Sequence, residues 1–316
     1  MDVGSAATAV GLFIVGVVAV IWATERLLEG LVGLGKLLRL APFAIAAIFS
    51  GFEAENIAVG VTAAKAGASQ IALGTVFGGA IFLVCVALGL GAIIAPLHVQ
   101  VPRGILFMLA LTPLAAGLPL VGATTPRLAG LVLLLASVGC LAHLVYASGR
   151  HQFFESKEVF EVLREQPSWL SAVGLTVLGI AVIAVGGELV TSGATRIVGT
   201  FGVSAAVMGM LVTPAAIELE EVIRQAVPAR EGRPDVSAGN LSGTLIFFIL
   251  FNFGLITLLA PISVAPLTRS LDWPFLIGST WLALIFLARG RVGRLQGFAL
   301  LGVYGVYWIL HLLLTG

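Results

Sequence analysis

Gly51-Phe52-Glu53-Ala54-Glu55-Asn56 and Ala216-Ile217-Glu218-Leu219-Glu220-Glu221 decide how this chain is read. Each places several acidic or amide side chains inside a segment otherwise apolar enough to cross a bilayer. A carboxylate at the bilayer centre costs about 2.5–3.5 kcal/mol or more, and packing alone gives no reason to carry that cost. The two stretches are therefore expected to be halves of one cation site, with the chain as a transporter built around it.

The surrounding composition sets the class. Of 316 residues, 59% are hydrophobic and 10% charged, against about 25% charged in a soluble domain, and the mean hydropathy is +1.10. These values point to an integral membrane protein with the lipid bilayer as partner, and the two acidic stretches make inorganic cations the other expected partner. A net charge of +1 argues against nucleic acid as a partner. Cys85 and Cys140 both lie in apolar runs, so neither a disulfide framework nor a cysteine metal site is expected. The N-terminus has no basic leader, and it is read as the first span rather than a removed signal.

Apolar runs of the ~20 residues needed to cross a bilayer recur ten times. The expected spans are 5–34, 40–66, 69–95, 103–121, 127–148, 170–199, 204–227, 236–260, 274–288 and 294–314. The halves repeat. Shifting the chain by 165 residues lays Glu53 on Glu218, Glu55 on Glu220, Asn56 on Glu221, Gly67 on Gly232, Gly74 on Gly239, Gly78 on Gly243 and Ala95-Pro96 on Ala260-Pro261. A shift of 167 also lays Arg127-Leu128-Ala129-Gly130 on Arg294-Leu295-Gln296-Gly297. The expected organisation is a first five-helix repeat over 1–148, a cytoplasmic connection over 149–168 and a second repeat over 169–316. Because five is odd, the second copy enters the membrane from the other side. Such inverted repeats place their substrate site at the repeat interface near the midplane.

Eleven Lys and Arg lie in connections after odd-numbered spans and four in those after even-numbered spans. The positive-inside bias then predicts cytoplasmic odd connections and both termini outside, in a multi-pass protein of the plasma or inner membrane. Nothing in the sequence requires more than a monomer.

Phe201-Gly202-Val203-Ser204-Ala205-Ala206-Val207-Met208-Gly209, followed by Ala216 to Glu221, resembles the second alpha-repeat of the cation/calcium exchanger superfamily. The continuation from Glu231 to Thr244 is similar to that family's next conserved pattern, and Gly67 to Gly79 follows the same pattern more loosely. The resemblance covers essentially the whole chain. It implies an all-α membrane protein of ten transmembrane helices in two inverted five-helix repeats, the sodium/calcium exchanger-like fold.

Matched residue by residue, the family's ion-binding Glu falls on Glu221 in the second repeat and on Asn56 in the first. Its motif Ser becomes Glu53 and Glu218, its Thr becomes Phe52 and Ile217, and its Pro becomes Glu55 and Glu220. Leu83 and Phe248 stand where Na⁺/Ca²⁺ exchangers supply a polar ligand. The proton-coupled branch has a G-N-A-x-E motif, which Gly51 to Glu55 also resembles if the register slips by one. Either Glu53 or Glu55 is thus the main first-repeat ligand.

Helix geometry gives a separate handle. Residues three apart share a face and neighbours diverge by about 100°, so Glu53 with Asn56, and Glu218 with Glu221, form two facing pairs. Glu55 and Glu220 point aside, where Glu188 is one possible neighbour. Together with carbonyls freed near Gly51 and Pro214, the four side chains can supply the six or more oxygens that Ca²⁺ takes. Glu53, Glu218 and Glu221 are the expected metal carboxylates and, with Asn56, the cation-binding and proton-coupling set. Glu55, Glu220, Gly51, Thr75, Asn240 and Thr244 are candidates for supporting or additional ligands. Gly74, Gly78, Gly239 and Gly243 read as close-packing positions, and Glu155, Glu158, Glu161 and Glu165 as a solvated acidic face.

Three carboxylates over-neutralise a divalent ion unless one carries a proton, so competition between protons and cations is expected at such a cluster. The sequence therefore predicts a secondary antiporter with no cofactor, exchanging a divalent cation, Ca²⁺ first, against H⁺. Na⁺/Ca²⁺ exchange or transport of another cation such as Mg²⁺ is the alternative. An intramembrane hydrolase is disfavoured because the acidic pairs are repeat-related and no HExxH or GxSxG motif is present.

Overall fold

The computed structural model describes residues 3–39, 53–122, 125–148 and 168–315. Gly51, the first part of the second span and the acidic face from Glu155 to Glu165 lie outside them. The described chain is helical throughout except for one short two-stranded tie, and the helices are α1 (Val3–Leu37), α2 (Ala54–Lys65), α3 (Ser69–Ile94), α4 (Arg103–Leu120), α5 (Pro126–Ser148), α6 (Trp169–Phe201), α7 (Ala205–Ile217), α8 (Leu219–Arg230), α9 (Pro234–Leu259), α10 (Thr268–Ala288) and α11 (Arg294–Thr315). In the tie, β1 (Leu97–His98) pairs antiparallel with β2 (Arg291–Val292).

Eight of these helices are long and apolar enough to cross a membrane. The expected seventh span is interrupted instead: α7 ends at Ile217, Glu218 forms a turn, and α8 starts at Leu219. Of the expected second span, the described part is α2. The ninth span begins at Thr268, six residues before the expected start at Pro274. Thr268-Arg269-Ser270-Leu271-Asp272 reads as a polar connection in the sequence. In the structure it is a wide π-turn with Thr268 and Asp272 fully buried. Asp272 tolerates that burial because Tyr307 Oη donates to its Oδ1 at 2.8 Å and His311 Nε2 lies 2.7 Å from the same atom.

The sequence repeat continues into backbone detail. α2 and α8 begin and end 165 residues apart, and Gly67 and Gly232 just beyond them share a left-handed backbone, with φ of 76° and 78°. Ala95 and Ala260 end α3 and α9 in the same extended conformation, each with φ −141°. π-turns interrupt both helices at matching places, Leu83–Ala87 and Phe247–Asn252. A π-turn widens a helix by one residue and is common at functional sites.

The inversion is visible where the first helices of the two halves pack. A Cβ added to Gly30 would meet Thr176, and one added to Gly16 would meet Val190. On α6, Gly179, Gly186 and Gly193 approach Leu27, Val20 and Phe13 in turn. Each step forward on α1 is thus a step back on α6, and the pair is antiparallel. Small residues let the two backbones approach closely, as bilayer helices require. Their outer faces expose Ile14, Val15, Val18, Val177, Ile180 and Val185, the pattern of a lipid-facing surface.

The core lies around α3 and α9, the most deeply buried of the long helices. α3 crosses α7 with almost no space between backbones. A Cβ on Gly74 would lie 1.9 Å from the Gly209 carbonyl oxygen, and one on Gly78 would lie 2.4 Å from the Met210 carbonyl oxygen. Trp273 and Trp281 fasten α10 to α4 by donating to the carbonyls of Pro113 and Ala110. Gly74→Ala is expected to destabilise the purified protein by about 2 kcal/mol, the scale of overpacking. Gly139→Ala, where an added Cβ meets nothing within 4 Å, is the control and should stay within about 0.5 kcal/mol of wild type. Thermal unfolding in detergent, followed by tryptophan fluorescence, checks both; equal stability of the two variants would contradict the close crossing.

Candidate functional site

The site is built from two helix starts. Glu53, with φ −111° and ψ 72°, is the last non-helical residue before α2, and Glu218, with φ −86° and ψ 4°, stands in the same position before α8. Glu55 follows in the first turn of α2, and Glu220 and Glu221 in the first turn of α8. The N-terminal end of a helix carries partial positive charge and favours anions within about one turn, which lowers the cost of burying acids here. Neither Glu53 nor Glu218 caps its helix with its side chain, so both carboxylates are directed elsewhere. The break at Glu218 is closed by local bonds. Its N–H donates to the Pro214 carbonyl at 2.8 Å, and the Glu221 N–H donates to the Glu218 carbonyl at 3.0 Å.

The fold brings the two helix starts together. Asn56 Nδ2 donates to Glu218 Oε1 at 2.6 Å, joining one half of the chain to the other. Glu53, Asn56, Glu218 and Glu221 are all essentially inaccessible, at 0–1% exposure. Asn240 on α9 donates from Nδ2 to Glu221 Oε2 at 3.0 Å. Asn56 Oδ1 and Glu218 Oε2 are buried acceptors with no donor among the described residues, as is Glu55 Oε2. Buried oxygens without partners are costly, and here they lie beside the cross-repeat bond. Glu55 is buried as well.

Glu220 behaves differently. Its side chain is 23% exposed and sits 2.9 Å from Arg224 Nη2. The expected neighbour Glu188 is exposed on α6. Thr75 is buried but turns its hydroxyl onto the Ala72 carbonyl of its own helix at 2.8 Å, while Thr244 is buried with its Oγ1 unpartnered. Leu83 and Phe248 are fully buried apolar residues.

Arg224 is the residue that sequence reasoning missed. Its Nη1 lies 2.8 Å from Glu221 Oε1 and 3.5 Å from Glu53 Oε1. Among the described residues, no three acidic, histidine or cysteine side chains stand close enough to share one metal ion. The guanidinium stands between Glu53 and Glu221, two of the three expected metal carboxylates. The signal for Arg224 was present in the spacing, since Glu220 and Glu221 precede it by four and three residues on one helix, the arrangement in which acid and base meet.

The family model described as "Sodium/calcium exchanger protein" matches the chain over residues 8–146 and again over 171–313. The putative antiporter CaxA of Alkalimonas amylolytica is 27% identical over 300 residues, covering 91% of this chain and 93% of that protein. The inner membrane protein YrbG of Escherichia coli (strain K12) is 28% identical over 319 residues, covering 95% and 97%. Among solved structures, the sodium-calcium exchanger NCX_Mj has the same fold, with a TM-score of 0.62 at 22% identity over 95% of this chain and 97% of that one. With the family model spanning nearly the whole chain, this protein belongs to the sodium/calcium exchanger protein family and is a multi-pass membrane cation antiporter, not an enzyme.

Proposed function

We propose that this protein exchanges Ca²⁺ for H⁺ by alternating access, with Glu53, Glu218, Glu221 and Asn56 as the shared site. One observation carries the reading. Asn56 of the first half and Glu218 of the second are bonded to each other in the interior, with unpartnered acceptor oxygens on both and Glu53 and Glu221 beside them. Such a group satisfies its oxygens either with a cation or with protons. A divalent ion meets hard oxygen ligands, which suit Ca²⁺, and protons neutralise the same carboxylates on the return stroke. The apolar Leu83 and Phe248 weigh against Na⁺ as the counter-ion. The structural neighbour NCX_Mj is a sodium-calcium exchanger, which makes Na⁺/Ca²⁺ exchange the second reading.

The antiparallel, glycine-lined pair of α1 and α6 is the element we assign to the sliding motion. It packs onto α2 through Gly187 against Ala58 and a hydroxyl contact of 3.0 Å between Thr62 and Thr191. A site neutralised by cargo or by protons removes the cost of carrying net charge past apolar walls, and so permits the slide. The division into repeats over 1–148 and 169–316 with a cytoplasmic connection, and placement in the inner membrane with both termini outside, complete the reading.

Proteoliposomes carrying the purified protein should accumulate Ca²⁺ when an outward-directed proton gradient, acid inside, is imposed, and should do so without Na⁺. Uptake that requires Na⁺ and ignores pH would select sodium exchange instead. Glu221→Gln should weaken Ca²⁺ binding about 100-fold, roughly 2.7 kcal/mol, by calorimetry on the detergent-solubilised protein; unchanged affinity would move the site elsewhere. Alkaline phosphatase fused to the C-terminus should be active in intact cells, and an inactive, stable fusion would reverse the orientation.

A further inference from the structure

Arg224 breaks the symmetry of a site that is otherwise doubled. The 165-residue shift places it on Val59, a fully buried aliphatic residue of α2. Among the described residues, the first half therefore contributes acids without a base to this cluster, and the second contributes both. The arginine side chain is 15% exposed and reaches acids of both halves: Glu53 from the first, Glu220 and Glu221 from the second. Arginine stays protonated throughout the accessible pH range. A permanent positive charge, fixed to the chain by its own stem, thus stands between two carboxylates that the proposed function uses as cation ligands.

We propose that Arg224 is the specificity-determining residue of the site: a tethered cation that a transported metal ion must displace from Glu53 and Glu221, so that divalent metal ions are admitted and monovalent metal ions such as Na⁺ refused. The inference rests on the reading of Glu53 and Glu221 as cation ligands. A guanidinium offers those carboxylates one positive charge together with directional N–H bonds. A Na⁺ ion replaces the charge one for one and gains nothing for expelling the bonds. A divalent ion doubles the Coulombic attraction at the same distance, which favours the exchange.

The helix supplies the displaced group with a second position. Glu220 is at the more exposed edge and already holds Nη2 at 2.9 Å, while Nη1 reaches inward to Glu53 and Glu221. Swinging the guanidinium toward Glu220 releases the inner carboxylates without stranding its charge. Glu220 is thus the retaining partner of Arg224, and its partial exposure marks the side to which the arginine withdraws.

The test uses the full chain in detergent and reads Ca²⁺ affinity by calorimetry with and without 100-fold or greater excess Na⁺. In wild type, Na⁺ should change Ca²⁺ affinity by less than about twofold. In Arg224→Gln and Arg224→Met, the same Na⁺ should weaken it by about tenfold or more, equivalent to 1.4 kcal/mol. Arg224→Lys keeps the charge and should keep the wild-type response. Either neutral variant suffices if it elutes as a monodisperse peak. A folded neutral variant with wild-type Na⁺ sensitivity overturns the proposal, as does Arg224→Lys behaving like the neutral pair. If wild type binds no Ca²⁺, the proposed function fails instead. Direct ²²Na⁺ binding then decides the role of Arg224: a gain in the neutral variants supports it and no gain refutes it.

Discussion

Charge kept out of water is the constraint on which this molecule depends. Glu53, Glu55, Glu218 and Glu221 lie at 0–1% exposure in a protein that spans a bilayer, where each would be prohibitive alone. Three devices make them tolerable. Helix N-termini direct partial positive charge at them. Asn56 and Asn240 donate hydrogen bonds across helices to Glu218 and Glu221. Arg224 adds a full charge between Glu53 and Glu221. Acceptor oxygens are left over among the described residues, on Asn56, Glu55 and Glu218, so the cluster is not a closed salt bridge.

The packing of the helices follows from the need to bring two such helix starts together. Side chains of ordinary size would hold α3 and α7 too far apart. Glycines at 74, 78 and 209 let the backbones touch, and the break at Glu218 then falls beside α2. The same economy of volume runs along α1 and α6, where glycines on both helices line the contact. Dispersion between closely approached backbones holds such pairs in lipid, where no hydrophobic drive between helices exists. A glycine-lined seam also presents few interlocking side chains, which suits a surface proposed to slide.

The halves are alike in frame and unlike in chemistry. Helix limits, left-handed glycines, extended alanines and π-turns recur at the same offset. At the site, however, Asn56 faces the position of Glu221, Thr75 that of Asn240, and Val59 that of Arg224. The repeated frame brings the two acidic stretches together, and the unrepeated residues set the charge there. The second buried acid system, Asp272 with Tyr307 and His311, lies in the second half alone, since the shift places Phe107 at the position of Asp272.

Composition and periodicity by themselves determined the membrane class, the repeat and its offset, the limits of most long helices and the acids that gather at the centre. These are properties of segments, and a segment shows its hydrophobicity and spacing without reference to its neighbours. Only the tertiary structure decided that the seventh span is broken at Glu218, that the ninth begins in the polar run at Thr268, and that Arg224 reaches Glu53 across 171 residues of chain. A polar residue in a bilayer is read by its partner, and the partner is chosen by which helix faces meet. Asp272 looked like a loop residue because Tyr307 and His311, 35 and 39 residues away, could be placed against it only by the fold.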